Sequence, residues 1–198
     1  MIESIEELEA LYGTPKAPSL LKVADRVNAD YRAWIEASPF VALATVGPEG
    51  LDCSPRGDDG QVVFVVDENT LHLPDWTGNN RIDSLRNILR DGRLSLMFLI
   101  PGSGTVIRAN GHGRIDADSA LLQHYARSGK EPRSVLVVSV EEVYFQCARA
   151  VMRAGLWQEA ALPELPSIGQ MLKTLSKGAV GGDEYDKAWP KRARENLW

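Results

Sequence analysis

The sequence predicts a mainly β domain, an antiparallel sheet carrying helices at its start, middle and end. Stretches rich in β-branched and aromatic residues recur at 40–46, 61–67, 70–74, 94–100, 105–115 and 134–146. The turns between them, Gly47-Pro48-Glu49-Gly50 and Glu68-Asn69, are far shorter than the dozen or so residues a parallel crossover needs. No Gly-x-Gly-x-x-Gly follows a strand and no Walker-type loop is present, which weighs against a doubly wound nucleotide fold.

Each element has its own local signal. Ser4 with Glu7 spells a capping box, and Gly13 stops the short helix it opens. Pro18-Ser19 opens a second helix whose apolar face is Leu20, Leu21, Val23, Ala24, Val27, Tyr31, Trp34 and Ile35, and Ser38-Pro39 ends it. Strand 40–46 returns as 51–56 through the Gly-Pro-Glu-Gly turn. Segments 61–67 and 70–74 follow as a second hairpin. The run from Asp75 to Gly92 then reads as a strand end, a tight turn and an amphipathic helix over 80–91, with Ile82, Leu85, Ile88 and Leu89 on one face.

Segment 94–100 is almost continuously apolar and reads as a strand buried on both faces, with Met97, Phe98 and Leu99 in the core. In the long strand 105–115, Gly111 and Gly113 suggest a bulge, a bend or a close approach. A helix over 118–128, a Val-rich strand over 134–146 and a helix over 167–176 closed by Gly178 complete the chain. Gly181-Gly182 reads as flexible and the end as polar and aromatic. There is one domain, with N-terminal helices over 1–38 and a C-terminal helical extension over 158–198.

The 198 residues are enough for one sizeable core. A net charge of −5 and a pI near 5.3 argue against a nucleic-acid binder. No apolar run approaches membrane-spanning length, and the acidic N-terminus lacks a signal peptide's basic and apolar regions, so the expected location is cytoplasmic. Two cysteines, Cys53 and Cys147, do not make a disulfide framework, and no Cys or His spacing suggests zinc. His72 alternates with apolar residues and reads as structural or surface; His112 and His124 are scattered.

Chemistry concentrates in two clusters. Thr77, Gly78, Asn79 and Asn80 are cap and turn formers before a helix, whose N-terminus offers unpaired N–H groups and the positive dipole end. Arg81 adds a cation and the two asparagines add amide donors, so this is either a phosphate seat or a plain surface helix start. Cys53-Ser54-Pro55-Arg56-Gly57-Asp58 places Arg56 and Asp58 at a strand end, where a plain polar loop is the competing reading. Ser54 has no triad-like His and acid, and Arg56-Gly57-Asp58 matches an adhesion tripeptide by chance. The short hairpin between the clusters lets Arg56 and Arg81 face one pocket beside Asn79 and Asn80, an arrangement suited to a dianionic phosphate. Lys191-Arg192-Ala193-Arg194 is a solvated helix end.

Taken in order, several motifs resemble the FMN-binding split-barrel proteins related to pyridoxamine 5′-phosphate oxidase. They are Ser54-Pro55-Arg56-Gly57-Asp58, Leu73-Pro74-Asp75, Gly78-Asn79-Asn80-Arg81, Leu99-Ile100-Pro101-Gly102, Ile107-Arg108-Ala109-Asn110-Gly111, and Cys147-Ala148-Arg149-Ala150 with Arg153 and Leu156-Trp157. The resemblance implies a six-stranded antiparallel split barrel over 40–157 and a homodimer with FMN at the interface. By it, Asn80 and Arg81 hold the FMN phosphate. Ser54, Arg56, Gly57 and Asp58 line the ribityl chain or ring edge, with Pro74, Asp75 and Asn79 in the same set. Arg108, Arg153 and Trp157 approach from the partner subunit.

The best resemblance is to an uncharacterised subgroup with Ser-Pro-Arg-Gly-Asp and Gly-Asn-Asn-Arg signatures rather than to the oxidase itself; where that subgroup usually has an Arg this chain has Trp76, which implies one cation fewer near the phosphate. Pyridoxamine phosphate is not carried over as substrate. The segment after Trp157 has no counterpart in the oxidase, and Trp189 and Trp198 read as packing on the barrel. The implied activity is that of an FMN-dependent oxidoreductase acting on an unidentified small molecule, with Arg56 or N–H groups stabilising the reduced flavin. A non-catalytic flavin-binding or redox-sensing protein, or a barrel for deazaflavin or haem with His112 as axial ligand, are the alternatives. No catalytic residue, metal, nucleic acid or membrane is assigned.

Overall fold

Inward and outward residues alternate along strands 40–47 and 93–99, while the start of strand 134–146 is buried on both faces, and together they build the core. The structure, a computed structural model, describes residues 1–195. Strands β1 (Phe40–Gly47), β2 (Gly50–Gly57), β3 (Phe64–Val65), β4 (Thr70–Asp75), β5 (Arg93–Leu99), β6 (Val106–Asp116) and β7 (Ser134–Gln146) form one sheet in the order β2-β1-β5-β6-β7-β4-β3. Every pairing is antiparallel. The resemblance implied six strands; the sheet has seven, the shortest being the two-residue β3 within the expected segment 61–67.

On β1, Val41, Leu43 and Thr45 point inward while Ala42 and Ala44 face out. β5 repeats this: Leu94, Leu96 and Phe98 are buried, and Ser95, Met97 and Leu99 lie on the outer face. The expectation of a strand buried on both faces, with Met97 and Leu99 in the core, is therefore corrected. That outer row is only partly covered. The glycines of β6 have separate jobs. A bulge falls between Asn110 and Gly111, where a Cβ on Gly111 would lie 2.0 Å from the Ser139 carbonyl oxygen. Gly113 makes room for Leu94 and Leu136.

The N-terminal helices differ from expectation. Helix α1 (Ile5–Tyr12) begins as read, with Ser4 Oγ accepting from the Glu7 N–H and Gly13 at φ +71 ending it. The long second helix is instead two, α2 (Ala17–Leu21) and α3 (Ala29–Glu36). Between them Ala24 exchanges both backbone hydrogen bonds with Val143 of β7, and Asn28 caps α3 through Tyr31 N–H. A sheet partner and a strong cap outcompete helix continuation there.

Segment 61–67 pairs only over β3, because Val62 and Val63 are committed to the core as the chain crosses from β2. Helix α4 spans Asp83–Arg90 and α5 only Ser119–His124, capped by Asp118 and followed by a tight Arg127–Lys130 bridge.

A short helix α6 (Arg149–Ala154), not foreseen, follows β7. Helices α7 (Ile168–Leu175) and α8 (Asp183–Glu195) pack on each other, and Gly182 N–H donates to Gly169 C=O at 2.7 Å. The glycine pair thus serves a close helix approach rather than slack alone. Trp189 stays half exposed and stacks on Tyr185 of its own helix, not on the sheet. Trp198 lies outside the described residues.

Candidate functional site

Helix α4 positions the site. It rests on β1 and β2, and its buried face carries Ser84, Asn87 and Ile88. Ile82 and Leu89, expected on that face, are exposed. Polar residues can occupy it because each finds a partner: Asn87 Nδ2 donates to Thr45 Oγ1 at 3.2 Å, and Ser84 Oγ donates to Asp52 Oδ2 at 2.5 Å. Gly47 leaves room for this seat, since a Cβ there would stand 2.2 Å from Asn87 Oδ1.

The helix also starts later than expected. Asn80 (φ 60) and Ile82 (φ 52) hold left-handed backbone, and Ile82 occupies the N-cap position without a side-chain cap. The asparagines therefore turn the chain before the helix instead of capping it. Asn79 Oδ1 accepts from Arg81 N–H at 3.1 Å. Left-handed conformations at an isoleucine are costly and are found where the surroundings enforce them.

Two clefts flank this turn. The first, about 380 Å³, lies between the Pro55–Asp58 end of β2, the segment from Leu73 to Asn80, and Arg133 and Ser134. The second, about 240 Å³, is lined by residues 49–52 with Arg81, Asp83, Arg86 and Asn87. Arg56 and Arg81 thus do not face one pocket. The Arg81 side chain is 76% exposed and pairs with Asp83 at 2.8 Å. The second cation of the larger cleft is Arg133, whose Nη1 donates to Asn80 Oδ1 at 3.1 Å.

Charge in the larger cleft is balanced. Arg56 Nε stands 3.5 Å from Asp75 Oδ1, with both side chains mostly buried. Burial pushes the Asp75 carboxyl above the usual range, opposed by the charges of Arg56 and Arg133. Asp58, 5% exposed at its side chain, is held by Arg127 Nη1 at 2.6 Å. Ser54 Oγ lies 2.8 Å from Ser84 Oγ and accepts from Arg56 Nη1 at 3.0 Å. Trp76 also lines the cleft.

The remaining expected residues lie elsewhere. On the outer face, Arg108 sits over the Tyr144 ring at 5.2 Å and lines an apolar recess of about 540 Å³ beneath α6, together with Cys53, Met97 and Cys147. Arg153 is exposed on α6, and Trp157 Nε1 donates to Ser103 C=O at 2.6 Å. His72 is structural, 2.9 Å from the Tyr125 hydroxyl. His112 pairs with Glu141 at 2.9 Å, well exposed. Among the described residues no group of three or more His, Cys, Asp or Glu could hold a metal, and no helix is long and apolar enough to cross a membrane.

Sequence reading missed Arg133, Arg127, Ser84 and Asp52. Arg133 directly precedes β7, and β7 pairs with β4 so that Ser134 stands opposite Asp75. That long-range pairing is what brings the arginine to the cleft.

Fold and cleft together define an antiparallel β domain with a charged cleft between a strand end and a helix start. The family profile described as Pyridoxamine 5'-phosphate oxidase matches residues 27–147, more than half of the chain. The chain belongs to that family, and its sheet is the family's split barrel. Solved structures similar to it include HupZ of Group A Streptococcus, 20% identical over 59% of this chain and 91% of that one, with a TM-score of 0.47. An FMN-binding protein from Syntrophomonas wolfei is 14% identical over 58% and 82%, with a TM-score of 0.43. A Clostridium acetobutylicum protein related to general stress protein 26, of the pyridoxinephosphate oxidase family, is 14% identical over 60% and 86%, with a TM-score of 0.44. No curated protein matches the chain.

Proposed function

We propose that this chain binds FMN in the larger cleft and acts, as a homodimer, as an FMN-dependent oxidoreductase on a small molecule. The carrying observation is that a cleft of about 380 Å³ joins the Pro55–Asp58 segment, the Asn79–Asn80 turn and two guanidiniums beside a helix N-terminus that no side chain caps. The donor set fits a phosphorylated flavin. Cations and free N–H groups suit the phosphate, while Pro55, Leu73, Pro74, Trp76 and Leu85 offer apolar cover to a ring system.

In this reading Asn80, Arg133 and Arg81 hold the phosphate. Arg81 lines the smaller cleft next to Asn80 and would have to swing across the turn to reach the phosphate; its surface pairing with Asp83 is worth at most about 1 kcal/mol, so it is readily exchanged for a dianion. Arg56 lies along the ribityl chain or ring edge with Gly57 and Asp58, and Asp75 fixes its guanidinium. Bound flavin would supply the electron-transfer chemistry. The protein's part is to bind, to orient and to place positive charge where a reduced ring becomes negative.

Support for a second copy comes from the outer face. Met97 and Leu156 are exposed there and line an apolar recess with Leu99, Val106 and Val151, the kind of patch that marks an interaction surface. Arg108, Arg153 and Trp157, on or near that face, would then meet the partner's cleft.

An absorbance spectrum of the purified protein, with a titration of added FMN, tests the reading. Twin flavin bands and release of FMN on denaturation are expected. A colourless protein that takes up no FMN overturns it, and a Soret band or a deazaflavin spectrum replaces the cofactor.

A further inference from the structure

We propose that Asp52 is a positioning residue for Arg56, acting through the hydroxyls of Ser84 and Ser54. The proposal rests on the reading that Arg56 faces a bound flavin. Asp52, Ser54 and Arg56 alternate along β2 and so share one face, opposite Thr45, Leu43 and Val41 of β1. Helix α4 lays Ser84, 3% exposed, across that row. The contacts are continuous: Arg56 Nη1 to Ser54 Oγ at 3.0 Å, Ser54 Oγ to Ser84 Oγ at 2.8 Å, and Ser84 Oγ to Asp52 Oδ2 at 2.5 Å.

Proton counting sets the direction of every bond. An ionised carboxylate only accepts, so Ser84 spends its single hydroxyl proton on Asp52. Ser84 then has only lone pairs for Ser54, which must donate to it. The Ser54 oxygen is left with lone pairs facing Arg56, whose guanidinium can only donate. The carboxylate at one end thus makes a serine hydroxyl, two links away, an acceptor for the arginine. Without Asp52 the directions are no longer fixed: Ser84 can donate to Ser54, whose lone pairs are then shared between Ser84 and the guanidinium, and the Arg56 contact is no longer held in one geometry. The row also joins the two clefts, because Asp52 lines the Arg81 cleft and Arg56 the larger one.

The test is a double-mutant cycle read by FMN fluorescence quenching on the full chain. Asp52→Ala and Ser84→Ala are each expected to raise the FMN Kd about tenfold, and Asp52→Ala to change it less than about twofold on an Arg56→Ala background. Asp52→Asn keeps an acceptor and is expected to bind within about threefold of wild type. A second readout needs no cofactor: the guanidinium ¹H–¹⁵N signals of Arg56, assigned by their loss in Arg56→Lys, should shift in Asp52→Ala and Ser84→Ala. Circular dichroism of each variant confirms that it folds. Unchanged Kd and unchanged Arg56 signals in Asp52→Ala overturn the proposal, as does a tenfold loss that persists without Arg56. Should wild-type protein take up no FMN, the flavin reading fails, and the Arg56 signals alone decide: a shift in Asp52→Ala upholds the positioning and no shift overturns it.

Discussion

Arg127 reaches Asp58 at 2.6 Å and clamps the end of β2 to the turn after α5, although the two are far apart in the sequence. The Asp58 side chain is almost fully buried and that of Arg127 about one-third exposed, which places the pair between a surface bridge and a core one. Arg127→Ala is therefore expected to cost about 2 kcal/mol, between the values typical of exposed and buried pairs. Urea unfolding measures it. Adding Asp58→Asn should recover part of the loss, since it removes the buried charge that the arginine compensated.

Arg133 and Arg81 stand on opposite sides of the same turn, and phosphate recognition should separate them from Arg56. Arg133→Ala and Arg81→Ala are each expected to weaken FMN by roughly tenfold, the order of one lost charge-assisted contact, while riboflavin affinity changes little. Arg56→Ala should weaken both ligands. Paired titrations with FMN and riboflavin read the difference. Unchanged FMN affinity in Arg81→Ala removes that residue from the phosphate seat.

Close backbone packing at the β6 bulge makes Gly111 irreplaceable by anything with a Cβ. The added carbon would lie 2.0 Å from the Ser139 carbonyl oxygen and 3.2 Å from Val140 Cα, so the ladder must move. Gly111→Ala is expected to destabilise by about 2–3 kcal/mol, the upper part of the overpacking range. Gly78→Ala is the control, because no heavy atom lies within 4 Å of its added Cβ. Its stability should stay within about 0.5 kcal/mol of wild type.

Much of this architecture is legible locally. The alternation in 40–46, the two short hairpin turns and the Val-rich last strand all act through neighbours in sequence, and each forms where its pattern lies. The glycines of β6 likewise signalled the bulge. What escaped depends on distant partners. Ser84 and Asn87 look like the solvent side of an amphipathic helix, and only Asp52, Ser54 and Thr45 of another element make their burial affordable. The Asn79–Asn80 motif marked the right turn, yet its role as a cap was misread because the backbone turns left-handed at Asn80 and Ile82. Arg133 carries no local sign of its cleft; the β4–β7 register alone brings it there.

Two titrating groups give stability slopes of opposite sign. Burial lowers the His72 pKa below its ordinary value of 6.5, with Arg114 adding to the effect. The stability tied to neutral His72 is full above about pH 6.5 and is lost as pH falls through the folded value. Asp75 is raised above 3.8 by burial. Its contribution is full below about pH 3.8 and is lost as pH rises through the folded value. Urea midpoints between about pH 4 and 7 should therefore flatten at the upper end in His72→Phe, and rise toward neutral pH in Asp75→Asn.

Arg149 acts on Cys147 directly. Its Nε donates to Cys147 Sγ at 3.4 Å, and this hydrogen bond, with the guanidinium charge, holds the thiol below its ordinary value. The thiolate is the reacting species, so a lowered pKa enlarges its fraction near neutral pH. Both cysteines are exposed and both line the outer recess. Cys147 should therefore be alkylated by iodoacetamide ahead of Cys53, and Arg149→Ala should slow Cys147 while leaving Cys53 unchanged. Peptide mass spectrometry over a time course separates the two sites. The same experiment bears on the second copy. In a dimer formed across this face both thiols are protected together, and dilution below the dimer Kd exposes both, whereas a monomer reacts at a concentration-independent rate.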